Sequence, residues 1–203
     1  ITTRLVGSEM CIRDSIYGYG LMNEPHDLTP ETSWFDMAQA SINAIREVDT
    51  NTLIMVGGND WSSAERWIEQ SDTLKYLKDP ANNLAFEAHV YFDKDASGTY
   101  KYSYEEEECY PEKGIDRVKP FVEWIKQNKF HGFIGEYGIP DNDPRWNETL
   151  DLFLGYLQEN GINGTYWAAG PWWDSYFMAI TPKDGKDRPQ MPIIEKYTST
   201  LKK

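Results

Sequence analysis

Five times from Ile16 onward, a short apolar run of strand character gives way to a polar or acidic residue, a loop, and a stretch with helical periodicity. The runs are IYGYGLM from Ile16, TLIMVGG from Thr52, LAFEAHVY from Leu84, FIG from Phe133 and GTYW from Gly164. Strand-first alternation of this kind implies an α/β protein with a parallel sheet and right-handed crossovers. Polar and acidic residues recur where the runs end, at the carboxyl ends of the strands, and that is where such sheets build their sites. A closed eight-unit barrel needs about 250 residues. With five units in 203 residues, the expected barrel is incomplete.

The intervening segments carry helical faces. Trp34, Met37, Ala38, Ile42, Ile45 and Val48 share one face of a helix over 34–48, and Ile115, Val118, Val122 and Ile125 one face over 115–128. Leu150, Phe153, Leu154 and Leu157 do the same over 146–160, with Gly161 as the C-cap. A shorter helix over 64–70 has Ser62 and Ser63 as N-cap candidates, and 191–201 is expected to form a terminal helix. The loop from Phe92 to Gly114 is long enough to suggest function or mobility, and its Glu105–Glu108 run reads as a solvated edge. Residues 1–15 have neither period and read as a non-native leader, which leaves 16–203 as the C-terminal part of the expected barrel.

Composition removes several function classes. The chain is 40% hydrophobic and 14% aromatic, a globular profile, and its net charge of −13 argues against nucleic acid and anionic membranes as partners. Two cysteines, Cys11 and Cys109, build neither a disulfide framework nor a four-cysteine zinc site. No run approaches the roughly 20 apolar residues of a membrane span.

Two of the strand ends carry glutamates, Glu24 and Glu136, and a third carries His89 and Tyr91 on one face at period two. A fourth leads into Trp167 and an aromatic loop containing Trp172 and Trp173. Paired carboxyls with aromatic faces nearby fit glycoside hydrolysis, in which one carboxylic acid protonates the leaving oxygen and a carboxylate works on the other face of the sugar. On this reading His89 and Tyr91 hydrogen-bond Glu136 and hold it ionised. Taken alone, His89 is equally well explained as a satisfied core histidine. Trp173, beside Asp174, is the better sugar contact, whereas Trp61 and Trp172 also suit a core. Trp34, Trp67, Trp124 and Trp146 lie on helices and read as packing. His26 is a loop hydrogen-bonder beside the site, and His131 is a surface structural residue.

The motifs MNEPHD (Met22 to Asp27), GNDW (Gly58 to Trp61), HVYFDKDASGTY (His89 to Tyr100), GEYG (Gly135 to Gly138) and YWAAG (Tyr166 to Gly170) occur in this order. They resemble the retaining family-5 glycoside hydrolases, and within them the endo-β-1,4-glucanases whose fungal members are major cellulases. The resemblance implies a (β/α)8 TIM barrel, with this chain as its five C-terminal units and Glu24 after the fourth strand. It implies endo-hydrolysis of β-1,4-glucan by double displacement, with Glu24 as acid/base and Glu136 as nucleophile. Asn23 is then expected to bond the sugar 2-hydroxyl, His89 and Tyr91 to line the cleavage site, and Trp167 to form a sugar platform. No metal or organic cofactor is implied. The partner would be a β-glucan polysaccharide or oligosaccharide, the complete protein a monomer, and the location extracellular because such substrates are too large to enter cells. The first three strands of the family pattern are missing, and with them an arginine and a histidine that it keeps around the glutamates. Hydrolysis of mannan or xyloglucan, or a truncated domain that only binds glycan, are the alternatives.

Overall fold

The computed structural model describes residues 16–29, 31–173 and 175–198. Five parallel strands form one sheet in sequence order: β1 (Gly18–Gly20), β2 (Leu53–Gly57), β3 (Leu84–Tyr91), β4 (His131–Gly138) and β5 (Asn163–Tyr166). Between them run α1 (Trp34–Arg46), α2 (Trp67–Ser71), α3 (Lys113–Asn128) and α4 (Arg145–Glu159), and α5 (Met191–Tyr197) follows β5. Each strand neighbours the next in the chain, which is the winding of a (β/α)8 barrel. Among the described residues β1 and β5 do not pair, so the sheet is an open half-barrel.

Period-two alternation gives each strand one face toward the helices and one toward the concave side. On β3, Phe86, Ala88 and Val90 join the core with Ile54 and Val56 of β2 and Ile134 of β4, all at most 3% exposed. The helices supply Trp67, Phe121, Trp124 and Phe153, and the Trp67 ring meets Phe86, Phe121 and Trp124 edge-on at 4.6–6.4 Å. Each such fully buried side chain contributes about 1.5–3 kcal/mol through apolar burial. The four helix tryptophans are buried, as packing residues should be.

Local chemistry sets the element ends. Ser33 caps α1 by accepting the Asp36 N–H at 3.3 Å. At the other end Arg46 turns inward and holds Asp79 through two hydrogen bonds of 2.7 and 3.0 Å and the Thr52 carbonyl at 2.8 Å. This arginine ends the helix two residues short of the expected Val48, which is 89% exposed rather than part of the apolar face. Gly161 follows α4 with φ +66°, the left-handed geometry expected of a glycine there.

Two loops differ from expectation. Asp60, Trp61 and Ser62 are all left-handed, with φ of 56°, 60° and 53°. That turn delays α2 to Trp67, and Ser63 accepts from the Arg66 N–H instead of capping a helix. The segment 92–112 is tightly built. Buried Asp93 accepts from the N–H groups of Gly98, Thr99 and Tyr100 at 2.9–3.2 Å, and the Tyr100 hydroxyl donates to the Gly138 carbonyl at 2.6 Å. The acidic run is not wholly solvated: Glu107 is 3% exposed and accepts from the N–H groups of Lys94 and Tyr102. The proposed leader, Cys11, Asp174 and the end of the expected terminal helix lie outside the described residues.

Candidate active site

A one-residue irregularity between β3 and β4 assembles the site. Ala88 pairs with Ile134, but His89 pairs with Glu136, so Gly135 is an extra residue on β4. In unbroken register Gly135 would pair with His89, and Glu136 would fall opposite Val90 and face the helices. The bulge leaves Gly135 and Glu136 both on the concave side. A Cβ at position 135 would lie 1.9 Å from Glu87 Oε1, so only glycine leaves that carboxylate room.

Glu24 reaches the same place from the loop after β1. Its φ is 44°, a left-handed conformation that costs a non-glycine residue roughly 1–3 kcal/mol and concentrates at functional sites. The Trp61 N–H donates to the Pro25 carbonyl at 3.3 Å, tying this loop to the turn after β2. His89 Nδ1 lies 2.7 Å from Glu24 Oε1 and 3.7 Å from Glu136 Oε2, and Nε2 lies 3.4 Å from Glu87 Oε1. The Tyr91 hydroxyl donates to Glu136 Oε2 at 2.8 Å. One carboxylate oxygen of Glu24, one of Glu136 and a His89 ring nitrogen all lie within 4.8 Å of one another.

The electrostatics follow from this crowding. Burial alone would depress the His89 pKa, but hydrogen bonds to Glu24 and Glu87 and the charge of Glu136 raise it to about 9. His89 is therefore an imidazolium at neutral pH. Burial raises Glu136 above its ordinary carboxyl value, against the lowering effects of His89 and Tyr91 and with like charge from Glu24 and Glu87 adding to the rise. Burial and the neighbouring Glu136 carboxylate keep Tyr91 a phenol and hence a donor. Of the expectation that His89 and Tyr91 both hydrogen-bond Glu136 and hold it ionised, the hydrogen bond from His89 is corrected: its short contact goes to Glu24. Tyr91 does bond Glu136, and both residues favour its ionised form against the effect of burial.

Glu24, His89 and Glu136 are close enough to surround a cation. Both ring nitrogens of His89 face carboxylates, Nδ1 toward Glu24 at 2.7 Å and Nε2 toward Glu87 at 3.4 Å. The imidazolium itself supplies the positive charge among the acids.

The other expected residues are dispersed around this centre. Asn23 is exposed beside Glu24, and its side chain has no hydrogen-bond partner among the described residues. Trp167 directly follows β5, with its N–H on the Tyr137 carbonyl at 2.8 Å. Its ring meets Trp173 at 5.0 Å, and Trp173 meets Tyr176 at 4.9 Å, forming an aromatic wall on the β4–β5 side. On the Glu24 side, Trp61 is 48% exposed and stacks on His26 at 3.4 Å with 11° between the planes, so it is not core; neither is Trp172, at 94% exposure. His131 opens β4 on the surface. A cavity of about 400 Å³ runs from Glu24, His89 and Tyr91 to Trp61, Arg66 and Ser97. Sequence reasoning missed Glu87, whose signal was its place two residues before His89 on the same strand face.

Comparison with known proteins gives the family and the fold. The family model described as Cellulase (glycosyl hydrolase family 5) matches residues 9–172. A probable endo-beta-1,4-glucanase B of Aspergillus kawachii is 37% identical over 181 residues, covering 86% of this chain and 52% of the relative. The endoglucanase Cel5A of Pseudomonas stutzeri, solved in complex with cellobiose, superposes with a TM-score of 0.83 at 44% identity, over 90% of this chain and 54% of that one. Cel5A (EG2) of Hypocrea jecorina superposes with a TM-score of 0.72 at 27% identity, over 84% and 54% respectively. The chain thus spans about half the length of the relatives it matches.

Proposed function

Because the chain belongs to glycosyl hydrolase family 5, we propose that it carries the catalytic pair of an endo-acting β-1,4-glucanase, with Glu24 as acid/base and Glu136 as nucleophile. The observation that carries this reading is the approach of the two carboxylates to within 4.8 Å on the concave face. Retaining glycosidases hold their carboxyls about 5–5.5 Å apart, and inverting ones about 6.5–9.5 Å.

The chemistry runs in two steps. Glu136 attacks the anomeric carbon while Glu24 gives its proton to the leaving glycosidic oxygen, producing a covalent glycosyl-enzyme. Glu24, now a carboxylate, takes a proton from water, which displaces Glu136 and restores the original configuration. The Tyr91 hydrogen bond orients the Glu136 carboxylate, and His89 Nδ1 orients Glu24. Asn23 contacts the sugar 2-hydroxyl, and Trp167 and Trp173 offer stacking faces on the Glu136 side. A related β-glycan such as mannan or xyloglucan presents the same bond type to the same pair. The extracellular location rests on substrate size; among the described residues no helix is long and apolar enough to cross a membrane.

Release of reducing ends from carboxymethylcellulose, set against galactomannan and xyloglucan, tests the activity and ranks the substrates. Glu136→Gln is expected to abolish turnover while leaving oligosaccharide binding intact. A second reading, glycan binding without turnover, is favoured by the open edges of β1 and β5. Binding of cello-oligosaccharides with no release of reducing ends from any of the three polymers would select it.

A further inference from the structure

The acid not used by this mechanism is Glu87. It lies on β3 two residues before His89, so it shares the concave face and sits about 6–7 Å deeper along the strand. Its side chain is 20% exposed, and Oε1 is 3.4 Å from His89 Nε2, on the opposite edge of the ring from Glu24. Gly135 makes its place, and Gly20 borders it. A Cβ on Gly135 of β4 would collide with Oε1 at 1.9 Å, and one on Gly20 of β1 would come to 4.0 Å of Oε2. The bulge that delivers Glu136 to the site therefore also vacates the volume that the Glu87 carboxylate fills.

We infer that Glu87 is a positioning residue: from beneath the cleft it holds the His89 ring with a proton on each nitrogen, so that Nδ1–H stays directed at Glu24. The inference rests on reading Glu24 and Glu136 as the catalytic pair, and it adds a third carboxylate to their support. A neutral His89 has a single N–H to share between two acids. With Glu87 engaging Nε2, the Nδ1 donor persists through both half-reactions and the Glu24 carboxyl keeps its orientation. The contact is long for a charge-assisted hydrogen bond, normally about 2.7–2.9 Å, so the effect is an ion-pair attraction across a poorly solvated gap.

The groups facing His89 are accounted for element by element. Glu24 comes from the loop after β1, Glu87 and Tyr91 from β3, and Glu136 from β4. From the turn after β2, Ser63 and Ala64 meet it through backbone. Glu65, Arg66, Asp95 and Arg117 line the cavity farther out, with Arg66 paired to Asp60 at 2.6 Å and Arg117 donating to the Tyr91 carbonyl. Burial depresses the ring's pKa while Glu24, Glu87 and Glu136 lift it, and the net result is about 9.

The test is an NMR titration of the imidazoles in this chain and in Glu87→Gln, tractable because the sequence has three histidines. His89 is expected to titrate near 9 in the parent and to fall by about one unit or more in E87Q, toward the ordinary imidazole value near 6.5. The alkaline limb of kcat/KM moves down by the same amount, since activity that needs the imidazolium is lost as pH rises through its pKa; KM stays within about twofold. Glu87→Asp keeps the charge but withdraws it by one methylene, and its His89 titration is expected between the two. An unmoved His89 in folded E87Q, or a fall as large in E87D as in E87Q, overturns the inference. The titration is read without substrate. Absence of glucanase activity would therefore count against the Glu24–Glu136 pair, whereas the Glu87–His89 linkage stands or falls on the imidazole data.

Discussion

Tyr91 and His89 divide the two carboxyls of the proposed catalytic pair between them, and the division has consequences for pH. As the proposed nucleophile Glu136 must be ionised to attack, and burial raises its pKa, so activity is expected to fall as pH drops through that raised value. Tyr91 opposes the rise through its 2.8 Å hydrogen bond. Tyr91→Phe removes that donor, so Glu136 rises further and the acid limb of kcat/KM moves to higher pH. Hydrogen bonds to charged groups contribute about 1.5–3 kcal/mol, and each 1.36 kcal/mol is tenfold in rate, so kcat/KM should fall roughly ten- to hundredfold. The pH profile of kcat/KM checks both effects, and an acid limb unmoved in Y91F contradicts the role given to this hydroxyl.

Among the elements, the β3–β4 pair determines the site, and Gly135 is its pivot. Gly135→Ala puts a methyl group where the Glu87 carboxylate lies. Overpacking of this kind costs about 1–3 kcal/mol, and relief by expelling Glu87 or closing the bulge disturbs His89 or Glu136. Denaturant titration should show G135A destabilised in that range, with activity reduced. Glu87→Ala in the same chain should recover part of the loss, and strict additivity of the two substitutions would refute the steric account. Much of this element level was legible in the sequence. The five strands, the helix tryptophans, and the meeting of Glu24 and Glu136 with His89 and Tyr91 all follow from periodicity and from residues at strand ends. What escaped depends on registration between segments remote in sequence. No pattern within FIGEY announces that Gly135 is an extra residue, and without the bulge Glu87 is only a polar interruption of an apolar strand. The left-handed turn at Asp60–Ser62, which turns Trp61 outward, and the burial of Glu107 by backbone donors likewise come from tertiary contacts that override local propensity.

The whole molecule is a half-barrel whose sheet is open at β1 and β5 among the described residues. Unpaired parallel edges invite association. Tyr17 is 68% exposed, and a hollow of about 750 Å³ against β5 is lined by Tyr17, Phe133, Leu157, Ile162 and Tyr197 among others. Light scattering on this chain should show self-association that increases with concentration, and a monodisperse monomer across the range would contradict it. Stability is anchored away from those edges by Arg46 and Asp79, whose side chains are 4% and 1% exposed. Removing one partner of a buried pair costs about 3–5 kcal/mol, so Arg46→Ala should lower the unfolding free energy by that order.

Half-barrel and site meet in one proposal, that Glu24 and Glu136, which bring carboxylate oxygens within 4.8 Å of each other, act as a retaining pair. Proton NMR of the anomeric region during early hydrolysis of a cello-oligosaccharide tests it most directly. The account predicts that the β-anomer of the newly released reducing end appears first and then mutarotates; initial appearance of the α-anomer would contradict it.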